Sequence, residues 1–144
     1  MTAEDSVDEL IAQFDLAQSE FVKSNPEPIK NWYSHRQEVS LANPFGPTAR
    51  GWEQVAATLE RAASQLRDGE LLEAENLVKY VTPELAYVVR VERSKGKVGG
   101  HEAVTPVSLR ATMIMRPEDG VWKIVHRHAD PITRARPADS VIQQ

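Results

Sequence analysis

Ala103-Val104-Thr105-Pro106-Val107-Ser108-Leu109-Arg110-Ala111-Thr112-Met113-Ile114-Met115-Arg116 carries no helical stripe. Leu109, Ala111, Met113 and Met115 alternate with Ser108, Arg110, Thr112 and Arg116, the two-residue period of a strand with one covered face. Fourteen residues at about 3.3 Å each extend roughly 45 Å, more than the width of a domain of this length. Such a strand must bend.

Strands are also expected at 71–81, 85–94 and 121–129, where Val, Tyr, Ile and Thr are frequent. Thr82-Pro83-Glu84, the glycine-containing segment 94–100 and Glu118-Asp119-Gly120 separate them. Connectors this short join antiparallel neighbours. Upstream the period is helical. Val7, Leu10, Ile11, Phe14, Ala17 and Phe21 fall on one stripe, and Trp52, Val55, Ala56, Leu59, Ala62, Ala63 and Leu66 on another. Ser6 or Thr2 opens the first helix, and Asn25-Pro26 stops it. Pro28 opens a short second helix, and Gly69 is placed as the left-handed cap of the third. A brief strand is read over 38–42, before the turn Asn43-Pro44-Phe45-Gly46-Pro47. Helices followed by long antiparallel strands give an α+β fold, a cone-shaped curved sheet wrapped around N-terminal helices. One domain over 1–130 is expected, with a C-terminal tail over 131–144.

The 144 residues carry 17 basic and 21 acidic side chains, a formal charge of −4. That field does not attract nucleic acid or anionic lipid, and no apolar run is long enough to span a bilayer. The acidic start, Met1-Thr2-Ala3-Glu4-Asp5, lacks the basic start and apolar core of a signal peptide, and a cytoplasmic location is expected. The absence of cysteine excludes disulfides and thiolate chemistry.

The order of elements, with Asn43-Pro44-Phe45-Gly46 and Gly51-Trp52-Glu53-Gln54-Val55-Ala56, resembles the nuclear transport factor 2-like superfamily. That superfamily includes ketosteroid isomerases and SnoaL-like polyketide cyclases. The ending Gly120-Val121-Trp122-Lys123-Ile124-Val125-His126-Arg127-His128-Ala129-Asp130 is similar to the last strand of SnoaL-like members and of calmodulin-dependent kinase association domains. The resemblance implies a cone with a pocket, but not the steroid isomerase chemistry. Asn43 stands where those enzymes carry a proton-shuttling aspartate, and an amide takes up no proton near neutral pH. The first helix offers Phe14 and Phe21 instead of a tyrosine, and Met113 aligns with the second acid.

Alternation on the strands puts Leu85, Tyr87, Val89 and Val91, and Trp122, Ile124, His126 and His128, on the concave side. The expected pocket is therefore lined by Trp32, His35, Asn43, Trp52, Tyr87, Met113 and Trp122. His126 and His128 are the candidate proton carriers, because imidazole titrates near working pH. His126, His128 and Asp130 have residue types that bind metals, yet spacing marks no further ligand. No metal or cofactor is required. Asn43 either orients a ligand or closes the turn before Pro44. Arg116, Arg127, Arg134 and Arg136 are read as a solvated rim. The expected protein binds a small apolar or aromatic molecule as a homodimer paired through its convex sheet face, with isomerase, cyclase or hydrolase-type chemistry left open. The alternative is a non-catalytic dimerisation or association domain.

Overall fold

A computed structural model describes residues 1–143; Gln144, the last residue of the expected tail, lies outside the described residues. The helices are α1 (Ala3–Phe21), α2 (Glu27–Lys30) and α3 (Trp52–Ser64). The strands are β1 (Ser40–Ala42), β2 (Ala49–Arg50), β3 (Leu66–Val81), β4 (Ala86–Val98), β5 (Thr105–Glu118) and β6 (Val121–Asp130). Six strands form one sheet in the order β2-β1-β6-β5-β4-β3. The long strands pair antiparallel as expected, while β1 lies parallel to β6.

Thr2, not Ser6, opens α1. Its Oγ1 accepts the Asp5 N–H, and the Asp5 carboxylate accepts the Thr2 N–H. The apolar stripe of α1 is buried as the spacing predicts, with Phe14 fully enclosed. Burying a side chain of that size contributes about 1.5–3 kcal/mol. Val55, Leu59, Ala62 and Ala63 of α3 join it against Val88, Met113, Met115 and Ile124 of the sheet. Both long helices cover the same sheet face.

Two boundaries differ from expectation. α3 ends at Ser64 and β3 starts at Leu66, so Gly69 lies inside a strand and caps no helix. Glycine is needed there for closeness: the Gly69 N–H donates to the Val22 carbonyl at 3.0 Å, and an added Cβ would lie 2.4 Å from that oxygen. Asp119 and Gly120 join β5 to β6 with φ of +52° and +82°, the two left-handed positions of a tight hairpin turn.

Alternation on β5 holds, with Ala111, Met113 and Met115 buried under the helices. On β4 it is reversed: Ala86, Val88, Arg90 and Glu92 are buried, and Leu85 and Tyr87 are exposed. On β6 it holds only as far as Ile124. Ile124 pairs with Met115 and His126 with Ile114, so Val125 is an extra residue and every later side chain changes face.

Candidate functional site

Between helices and sheet lies a cavity of about 360 Å³. Its walls are mostly aliphatic and aromatic: Phe21, Ile29, Leu41, Leu59, Leu109 and Ala129 line it from six different elements. A few polar groups converge there, namely Gln18, Tyr33, Glu92 and Arg127. At the more exposed end stand Asn43, Pro44 and half-exposed Phe45, with Lys95 and Lys97 of β4.

The polar end is a charge network built across the sheet. Arg127 Nη2 and Nη1 donate to Glu92 Oε1 and Oε2 at 2.6 and 2.8 Å. Arg90 Nε donates to Oε2 at 2.8 Å, and Gln18 Nε2 to Oε1 at 3.4 Å. Arg90 Nη2 also donates to Asp15 on α1. Burial opposes the charge on Glu92, but Arg127 and Arg90 outweigh it and lower its carboxyl to about 2. Burial likewise works against the charge on Arg127, and Glu92 more than compensates, raising its pKa above the usual value. Both guanidiniums stack over the Phe14 ring, at 5.6 Å for Arg90 and 5.2 Å for Arg127. Tyr33 is 1% exposed, and burial pushes its hydroxyl up to about 12, with Arg127 opposing and Glu92 adding to the rise.

Of the residues expected to line a pocket, only Asn43 does so. Its Oδ1 accepts the Phe45 N–H at 3.0 Å, so its side chain closes the turn at the cavity rim. Met113 is fully buried in the core and is not part of the lining. Trp32, Trp52 and Trp122 pack against the core from outside, and Lys123 Nζ lies 5.9 Å from the Trp32 ring centre. His35 stacks on Trp52 at 3.8 Å and donates Nε2–H to the Lys30 carbonyl at 2.9 Å, away from the cavity. Tyr87 sits beside Tyr80 on the face opposite the helices, their rings 5.9 Å apart.

The extra residue Val125 turns His126 and His128 onto that same uncovered face, which corrects their expected inward orientation. His126 Nδ1 is 2.7 Å from Ser40 Oγ, and His128 Nε2 is 3.1 Å from Asp130 Oδ2. Burial, and secondarily the nearby His128, lower the His126 pKa. Among the described residues no three His, Asp or Glu side chains converge on one point. The rim reading also fails for Arg127, which is interior; Arg116 lies between Glu38 and Glu118.

Sequence reasoning missed Arg127, Glu92, Gln18 and Tyr33. One signal was present: Arg90 and Glu92 share a strand face with Ala86 and Val88, so charges of opposite sign occupy a face otherwise fit for burial.

The sequence pattern of the SnoaL-like domain matches residues 29–132. None of the curated proteins matches the chain. Similar solved structures include a nuclear transport factor 2-like superfamily protein from Salmonella enterica serovar Typhimurium, with TM-score 0.76, 16% identity, and coverage of 95% of this chain and 99% of that one. A ketosteroid isomerase-like protein from Erwinia carotovora gives 0.70 at 15% identity, covering 90% and 96%. A protein named as a calcium/calmodulin-dependent protein kinase type II association domain, from Thiobacillus denitrificans, gives 0.63 at 18%, covering 85% and 91%. At these identities the likeness is one of fold. No helix among the described residues is long and apolar enough to cross a membrane.

Proposed function

The chain belongs to the SnoaL-like domain family, and on that premise we propose that it binds a small, mainly apolar organic molecule in the cavity between helices and sheet. One observation carries the reading: an apolar space of about 360 Å³ ends on a few convergent polar groups, the usual make-up of a ligand site. Binding, rather than proton-transfer catalysis, is what the lining supports. Glu92 is held ionised with both oxygens engaged, and Tyr33 keeps its proton to about 12. Neither accepts a proton near neutral pH.

The test is native mass spectrometry of freshly purified protein, followed by thermal-shift screening with apolar compounds. Retention of an organic molecule that Leu109→Trp excludes by filling the cavity is the expected result. Empty protein together with a screen free of hits overturns the reading.

A second reading, assembly, is favoured by the uncovered sheet face. Tyr80 and Tyr87 are exposed there, beside half-buried Val89, Ile114 and His126. Neighbouring apolar side chains on an uncovered face suit burial against a second copy of the chain. Sedimentation reads the outcome, dimer or monomer, independently of ligand binding.

A further inference from the structure

The hydrogen bonds at the polar end of the cavity are unevenly shared. Both Glu92 oxygens are occupied, Oε1 by Arg127 and Gln18 and Oε2 by Arg127 and Arg90. Arg127 uses one N–H on each Nη for this contact. A guanidinium carries five such donors; its remaining ones and the Tyr33 hydroxyl make no hydrogen bond to protein among the described residues. They are not sealed off, since the one fully buried side-chain N or O atom there without a partner is Arg90 Nη1, outside the cavity lining. Arg127 and Tyr33 both line the cavity and are 5% and 1% exposed. The inner end of the cavity therefore presents donors in excess and no protein acceptor to match them, a place where an occupant's acceptor gains hydrogen bonds.

Charge narrows the class of occupant. Arg90 and Arg127 are balanced by Glu92 and Asp15, all in contact. The cavity's two lysines are also engaged, Lys97 with Asp68 at 3.0 Å and Lys95 with Glu70 at 3.5 Å. Among the described residues no cation lining the cavity is left without an acidic partner, so a carboxylate or phosphate entering it would lose its hydration without gaining a counter-charge.

We propose that the cavity selects a neutral apolar molecule with a carbonyl at its inner end, and that this oxygen accepts hydrogen bonds from Arg127 and Tyr33. The proposal rests on the binding reading above. Arg127 is the charged donor, oriented by Glu92, and the Tyr33 hydroxyl is the second. The aliphatic wall from Leu41 to Leu109 takes the hydrocarbon body.

Three tricyclic probes of nearly equal size test this on the full chain: 9-fluorenone, fluorene and fluorene-9-carboxylate. Fluorenone is expected to bind about tenfold more tightly than fluorene, as a charge-assisted hydrogen bond to a buried donor warrants, and more tightly than the carboxylate. Tyr33→Phe, which leaves the Arg127–Glu92 pair whole, should weaken fluorenone about three- to tenfold and leave fluorene unchanged. The carbonyl stretch of bound fluorenone should lie below its value in hexane and move back toward it in Tyr33→Phe. Equal affinity for fluorenone and fluorene, tightest binding of the carboxylate, or a stretch that ignores Tyr33→Phe overturns the proposal. If fluorene and fluorenone bind equally, the cavity is still a binding site and only this inference fails. If no probe binds and the purified protein is empty, both readings fall.

Discussion

Arg127 of β6 forms a two-point hydrogen-bonded fork with Glu92 of β4, reaching across β5, at 2.6 and 2.8 Å. Both side chains are almost wholly enclosed. The contact locks two non-adjacent strands on the helix-covered face and sets the polar end of the cavity, so fold stability and site geometry depend on the same pair.

Removing one partner leaves the other charged and buried. Glu92→Ala and Arg127→Ala should each destabilise the protein by about 3–5 kcal/mol. Glu92→Leu combined with Arg127→Met should recover much of that loss, since a well-packed apolar pair replaces the ions. Urea denaturation of the two single variants and the double variant measures the coupling; simple additivity would contradict it.

The same pair makes stability depend on pH. The Glu92 carboxyl falls from 4.5 to about 2 on folding, with burial opposing and the two arginines prevailing. Its stabilising contribution is therefore complete above about 4.5 and is lost as pH falls toward 2, because there the unfolded chain binds the proton more readily. Urea midpoints taken from pH 6 to pH 2 should drop less steeply in Glu92→Gln than in the parent. Parallel curves would show that other carboxylates carry the acid transition.

The fold was legible because its signals are local: helical stripes, long strands that must bend, and an Asp119-Gly120 turn. The site was not, for two physical reasons. Glu92 and Arg90 are charged, so hydropathy assigns their face to solvent, and only the three-dimensional meeting with Arg127 and Asp15 makes their burial tolerable. Val125 is then one extra residue opposite a regular strand, and strict alternation carries His126 and His128 to the wrong side. The turn at Asn43 was legible because it is fixed by its own neighbours, Pro44 and Phe45.

Gly69 tests how tightly α1 is held to β3. A methyl group there would sit 2.4 Å from the Val22 backbone oxygen, which cannot swing aside as a side chain would. Gly69→Ala should lower stability by about 1–3 kcal/mol. Gly46→Ala, with nothing within 4 Å of the added carbon, serves as the control and should change stability little. Thermal melts of the two variants suffice.

If the uncovered sheet face pairs two copies, a charge at its centre should separate them. Tyr87→Glu places like charges near one another in the paired state while leaving the helix-covered core untouched. The parent is expected to sediment as a dimer and the variant as a monomer of unchanged helix content. A monomeric parent would remove the assembly reading and leave the cavity unaffected.

The outward histidines yield a prediction that separates surface from cavity. His126 titrates below its ordinary 6.5, chiefly through burial and secondly through the charge of His128, with Ser40 opposing. Removing His128 takes away one of those two causes, so His128→Ala should move the His126 titration upward in NMR. The cavity lies on the other side of the sheet, and its lining includes neither ring. Ligand retention in native mass spectrometry should therefore survive both His126→Ala and His128→Ala, whereas Leu109→Trp abolishes it. Loss of ligand in the histidine variants, with folding intact, would mean that the bound molecule sits on the open face of the sheet and that the 360 Å³ space is not its site.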